Sequence, residues 1–164
     1  KPHPAIWIAA NPRPSAKADL KTNVERATRR ITRHASGWMT TWLTPEEFAD
    51  RWVLLRESLV AEGRDATAFD NTLYYNVNIN DDREAAAAES KRFLDMYYGF
   101  DISRPRLDVW VAYGPPDEVA AKLRAFAAVG AKEITIRLTS WDQRGQLERL
   151  MREVLPAVRT SVVA

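Results

Sequence analysis

Short apolar runs alternate along this chain with segments whose apolar residues recur every three or four positions. The first run, Ala5-Ile6-Trp7-Ile8-Ala9-Ala10, is apolar throughout, as expected of a strand buried on both faces of a parallel sheet. Asn11-Pro12-Arg13-Pro14 ends it, because two prolines cannot continue a ladder. After a polar loop, Thr22-Asn23-Val24-Glu25 has the spacing of a capping box. Val24, Ala27, Ile31 and Ala35 then form one helical stripe, which Gly37 stops. Trp38-Met39-Thr40-Thr41-Trp42 predicts a second strand. Thr44-Pro45-Glu46-Glu47 combines an N-cap threonine, proline at the first helical position and a capping-box glutamate. A helix follows with Phe48, Trp52, Leu55 and Leu59 inward and Gly63 at its end.

Residues 71–80 alternate strictly, with Leu73, Tyr75, Val77 and Ile79 on one face against Tyr74, Asn76, Asn78 and Asn80 on the other, and predict a third strand. Asp81-Asp82 caps a helix running through four alanines to Phe93, Leu94 and Tyr97, with Gly99 as its stop. Between Phe100 and Gly114 the pattern is less regular, and Leu107, Val109 and Val111 predict a short strand or an extended connection. Pro115-Pro116-Asp117-Glu118 opens another helix carrying Val119, Leu123 and Phe126, broken at Gly130. Glu133–Leu138 is a strand. Ser140-Trp141-Asp142-Gln143 is a second capping box, leading into a stripe of Leu147, Leu150, Met151, Val154 and Leu155, with Pro156 near the helix end.

Strand–helix alternation of this kind implies parallel strands joined by right-handed crossovers, in an open doubly wound sheet or in part of a barrel. The fold class is α/β, of the (β/α) TIM-barrel type, with about four β/α units. Closure takes eight units and about 250 residues. The 164 residues are therefore expected to be a single domain, 1–164, forming a half-barrel fragment. Such a half exposes sheet edges and interior side chains, which predicts association with the missing N-terminal half of the barrel or a homo-oligomer.

Composition removes several function classes. The chain is 46% hydrophobic with six Trp, enough for a sizeable core. The lack of cysteine excludes disulfides, thiolate nucleophiles and Cys-ligated metals. No apolar run approaches the ~20 residues of a membrane span and the start lacks the features of a signal peptide, so no membrane and a cytoplasmic compartment are expected. A formal charge of +2 gives no global steering toward nucleic acid. Basic residues nevertheless concentrate between Arg13 and Arg33: Arg13, Lys17, Lys21, Arg26, Arg29, Arg30 and Arg33, against Asp19 and Glu25. This is where an anion would bind, or else a solvated helix face. Neither His3 nor His34 has metal-ligand or catalytic-pair spacing; no metal is expected and the catalytic residues are unknown.

The order of these motifs resembles the C-terminal half of the luciferase-like monooxygenase family, (β/α)8 barrels that use a flavin or a deazaflavin. The resemblance rests on Pro4–Ala10, on Ala27-Thr28-Arg29-Arg30-Ile31-Thr32-Arg33-His34-Ala35-Ser36-Gly37-Trp38-Met39, on Thr44–Phe48 with Gly63-Arg64-Asp65, and on Gly114–Val119 through Val129-Gly130-Ala131 to Glu153–Pro156. It implies a flavin- or deazaflavin-dependent oxidoreductase or monooxygenase, acting by hydride transfer or oxygen insertion on a small-molecule organic substrate. The implied cofactor is FMN or a deazaflavin coenzyme of the F-420 type. Ser36 stands where the family usually has Asp, and Asn11-Pro12 replaces glycines frequent after that strand. The alternatives are another phosphate-binding (β/α)8 enzyme, such as an isomerase or aldolase, and a non-catalytic half-barrel binding or assembly module.

In barrels, ligands sit at the C-terminal strand ends, where the loops and the positive helix ends gather. Here those ends nominate Ala9, Ala10, Asn11, Arg13, Thr22 and Asn23 for the cofactor, with small residues admitting a phosphate and the helix start donating to it. Arg26, Arg29, Arg30 and Arg33 are expected to lie over a separate surface beyond the first helical turn. Thr40, Thr41, Trp42, Asn78, Trp141, Asp142 and Arg144 are nominated for the substrate pocket. Some of these also have a plain structural reading: core packing for the tryptophans, turn chemistry for Asn78, and for Asp142 a place in the first helical turn, where a carboxylate complements the dipole.

Overall fold

The computed structural model describes residues 4–159, so His3 lies outside the described residues. Two compact units divide the chain, one running to Leu73 and including Val129–Glu133, the other formed by Tyr74–Ala128 and the segment from Ile134 onward.

In the first unit, β1 (Trp7–Ala9) and β2 (Gly37–Thr41) pair in parallel, Trp7 opposite Gly37 and Ala9 opposite Met39. The helices α1 (Leu20–His34) and α2 (Pro45–Ala61) follow them. Trp38 stacks on Phe48 of α2 at 5.3 Å, and its indole N–H donates to Ala10 O at 3.0 Å, so the second strand and the second helix are locked through one side chain. The Thr44 capping box is present in full. Three expectations need correction. The first strand is three residues long and is not buried on both faces: it is an edge, and Ile6 and Trp7 are 49% and 37% exposed. The Thr22 capping box does not form, because Asp19, one turn earlier, takes the cap by accepting from Thr22 N at 2.8 Å. Gly37 is not a helix stop but the first residue of β2, where a Cβ would lie 2.6 Å from the Trp7 ring. The end of α1 is held instead by Arg64, whose guanidinium donates to Thr32 O and to Ala35 O, the latter at 2.8 Å.

The strand β3 (Asp70–Ile79) starts in the first unit and continues into the second. There it pairs in parallel with β4 (Val111–Gly114), Asn76 opposite Val111, and also pairs with β5 (Glu133–Leu138), where Thr139 N donates to Val77 O at 2.8 Å. The helices of this unit are α3 (Arg83–Tyr98), α4 (Arg104–Trp110), α5 (Pro116–Ala128), α6 (Gln143–Arg149) and α7 (Leu155–Arg159). Asp82 caps α3 and Gly99, at φ +73°, ends it, both as expected. The predicted face alternation of β3 does not become a buried–exposed alternation. Tyr75 meets Phe126 of α5 on one face, and Asn76 and Asn78, equally buried, meet groups of α4 and α3 on the other. Leu107 and Val109 lie in a helix rather than a strand, started by Pro105 in its first turn. Ser140 is not the cap of α6; Asp142 is, accepting from Gly145 N at 2.9 Å. Residues 150–154 form a π-turn ahead of Pro156, whose ring cannot sit against the carbonyl four residues back and has no N–H to close an α-turn.

Candidate functional site

A cleft of about 510 Å3 opens at the C-terminal end of β1, lined by Ala9, Ala10, Asn11, Pro12, Arg13, Asn23, Arg26, Ala27 and Arg30. Five of the six nominated cofactor residues are on it. Its wall is built by the loop after β1 and one face of α1. Asn23 fixes the two together, its amide donating to Arg13 O at 2.8 Å and to Ala18 O at 3.3 Å. Thr22, the sixth, has its backbone N–H committed to Asp19. The expected separation between phosphate loop and arginine face does not hold. With α1 starting at Leu20, Asn23, Arg26, Ala27 and Arg30 share one helical face, and that face is turned to the loop. The spacing is visible in the sequence; the packing that turns this face to the loop is not.

The loop is a cationic corner. Arg13 donates to Trp42 O, lies over the Trp42 ring at 5.0 Å and sits 3.8 Å from the Glu47 carboxylate. Arg51, buried, reaches Pro12 O at 3.5 Å, and burial lowers its pKa while Glu47 opposes that shift. Among the described residues, no acidic side chain pairs with Arg26 or Arg30, which leaves both charges available to the cleft. Asn11 Oδ1 and Arg13 Nε are buried with no hydrogen-bond partner, as is Thr40 Oγ on β2. Trp42, just past β2, has φ +57°, the one non-glycine in the left-handed region among the described residues. Strain of that kind costs about 1–3 kcal/mol and persists where the surroundings impose it, here the Arg13 bond to its carbonyl.

In the second unit the nominated residues gather at the ends of β3 and β5. Asn78 Nδ2 donates to Glu89 Oε2 and to Thr139 O, each at 2.9 Å, and its Oδ1 is buried without a partner. Trp141 packs against Phe93 edge to face at 5.5 Å and under Arg92 at 4.7 Å. Asp142 is spent on its cap, and Arg144, 91% exposed, pairs with Glu148 at 3.0 Å. Glu89, which joins these groups, carries no motif that sequence reading would select. Among the described residues no cluster of metal-ligating side chains occurs, and no helix is long and apolar enough to cross a membrane.

No protein-family model and no curated relative matches the sequence. Solved structures do. An F420-dependent secondary alcohol dehydrogenase, in complex with an F420-acetone adduct, superposes with a TM-score of 0.74 at 12% identity over 96% of this chain and 50% of its own. The coenzyme F420 dependent tetrahydromethanopterin reductase of Methanopyrus kandleri gives 0.63 at 13% over 93% and 50%. The chain has the fold of half a luciferase-like barrel. A type II Baeyer–Villiger monooxygenase component from Pseudomonas putida, in complex with FMN, matches at 0.56 and 16% over 94% and 49%. This half-barrel spans about half the length of the structures it matches.

Proposed function

We propose that the chain supplies the C-terminal half of a flavin- or deazaflavin-dependent oxidoreductase of the luciferase-like type, acting by hydride transfer or oxygen insertion on an organic substrate, and that its β1 cleft receives the phosphate of FMN or of an F-420-type deazaflavin. The observation that carries this reading is the pair of uncommitted guanidiniums, Arg26 and Arg30, facing a cleft whose other wall is the small-residue end of β1. The residues fit such a group. Ala9 and Ala10 leave room for it, Arg26 and Arg30 offset its charge, and the buried Arg13 Nε and Asn11 Oδ1 lack a hydrogen-bond acceptor and donor respectively. When bound, the cofactor's ring supplies the redox chemistry. The chain's residues bind and orient. Substrate contacts are assigned to the strand ends of each unit separately: Thr40, Thr41 and Trp42 in the first, Asn78 and Trp141 in the second. The remaining strands of the barrel come from a partner segment, which the half coverage of the matched structures supports.

Titration of the intact gene product with FMN and with coenzyme F420 tests this. Arg30→Ala removes a charged hydrogen bond worth about 1.5–3 kcal/mol, a ten- to hundred-fold loss of affinity. Thr22→Ala keeps the backbone N–H and the Asp19 cap, and should change affinity little. Binding that survives Arg30→Ala, or that falls equally in Thr22→Ala, places the anion elsewhere.

A further inference from the structure

The loop after β5 is held by a carboxylate on α3. Glu89 accepts from three donors: Asn78 Nδ2 at 2.9 Å, Ser140 Oγ at 2.8 Å and Trp141 N at 3.3 Å. The network extends in both directions, as Asn78 also donates to Thr139 O at 2.9 Å and Ser140 Oγ accepts from Asp142 N at 3.2 Å. A single side chain thus joins the end of β3, the end of β5 and the cap of α6. The same face of α3 continues the grip, since Glu89, Arg92 and Phe93 fall at i, i+3 and i+4. Arg92 lies over the Trp141 ring at 4.7 Å and Phe93 meets it at 5.5 Å, yet Trp141 stays 48% exposed. Its backbone and its ring are both fixed while half its surface remains open.

We infer that Glu89 is a positioning residue that presets the Trp141 indole as a stacking platform for a planar conjugated ring. This rests on the reading of the β5 loop as part of the ligand pocket. A carboxylate is the group the geometry favours: Ser140 Oγ and Trp141 N converge on Oε1 and Asn78 Nδ2 on Oε2, whereas an amide has one acceptor oxygen, uncharged, and would set its NH2 against one of these donors. An aromatic face held rigid before binding loses little freedom on stacking, so fixing it raises affinity for a flat ligand without any new contact.

The experiment uses riboflavin, a planar probe without a phosphate, so that the β1 cleft does not contribute a charged contact. In Glu89→Gln, hydrogen exchange at the Trp141 amide should quicken about tenfold, the equivalent of one charged hydrogen bond, with the far-UV circular dichroism unchanged. The tryptophan emission should shift, and that shift should be absent when Glu89→Gln is made in a Trp141→Phe background. Riboflavin affinity should fall several-fold in Glu89→Gln and in Trp141→Ala. Ser140→Ala, which removes one of the three donors and leaves the carboxylate, should loosen the same amide by less, and it carries the test if Glu89→Gln does not fold. Unchanged exchange in both variants overturns the positioning role. Faster exchange with unchanged riboflavin binding overturns the platform, and with it the assignment of this loop to the pocket, without touching the anion reading of the β1 cleft.

Discussion

Two glycines that read alike as helix punctuation do different work, and the difference is measurable. Gly63, at φ +72°, has nothing within 4 Å of where a Cβ would sit, so its requirement is conformational alone. Gly37 is a matter of space: the Trp7 indole lies where its Cβ would be, at 2.6 Å. Gly63→Ala should cost about 1 kcal/mol, the left-handed penalty of a Cβ. Gly37→Ala must displace the ring across the β1–β2 pair and should cost more, about 1–3 kcal/mol as overpacking does. Urea midpoints of the two variants decide it. A second substitution, Trp7→Ala, should recover part of the Gly37→Ala loss and none of the Gly63→Ala loss. Sequence alone does not separate them, because a close approach involves a partner thirty residues away.

At the scale of the element, what the chain shows in advance is what is encoded locally. Thr44-Pro45-Glu46-Glu47 and Asp82 start their helices where expected, since the caps need only residues within one turn. The errors lie where two local signals compete or where tertiary packing decides. Asp19 displaces Thr22, Asp142 displaces Ser140, and the asparagines of β3 are buried because helix groups supply hydrogen bonds that no periodicity reveals. In the candidate site this means that the loop residues Ala9–Arg13 were legible, while the part of Arg26 and Arg30 depended on which face of α1 packing turns to the loop. The start of α1 has a pH signature. The Thr22 N–H holds the Asp19 carboxyl below its ordinary pKa. A depressed folded value means that Asp19 stabilises α1 fully above the ordinary carboxylate range, and that this contribution is lost as pH falls through the lower folded value. Asp19→Asn still caps, so it should keep the helix and remove this part of the acid sensitivity. Melting curves of both proteins, taken across about pH 2 to 6, should converge at the acid end and separate above it if the cap is Asp19. Parallel curves would return the helix start to Thr22.

At the scale of the whole molecule, the exposed side chains state what is missing. In the first unit the edge strand presents Ile6 and Trp7 in a run, Ala5–Ala10, that carries none of the lysines, prolines or bulges by which natural edges are kept from pairing. In the second unit no residue of β5 is fully buried, its aliphatic Ile134, Ile136 and Leu138 included. Solved barrels of this fold are about twice as long as the stretch they share with this chain. Apolar surface returns about 25 cal/mol per Å2 when covered, so a few hundred Å2 at these edges yields several kcal/mol in favour of association. The 164-residue chain alone should therefore self-associate in solution, and Ile6→Lys, which puts a charge on the edge without altering the β1–β2 register, should lower the associated fraction at a given concentration. The 164-residue chain should also show no cofactor-dependent turnover, since it has five described strands of the eight whose ends surround a barrel pocket. Light scattering over a concentration series, with and without Ile6→Lys, tests the first expectation; a steady-state assay on the same verified 164-residue species tests the second. A monodisperse monomer at high concentration would show that these edges are self-sufficient, and measurable turnover would show that the site needs nothing beyond the strands described here.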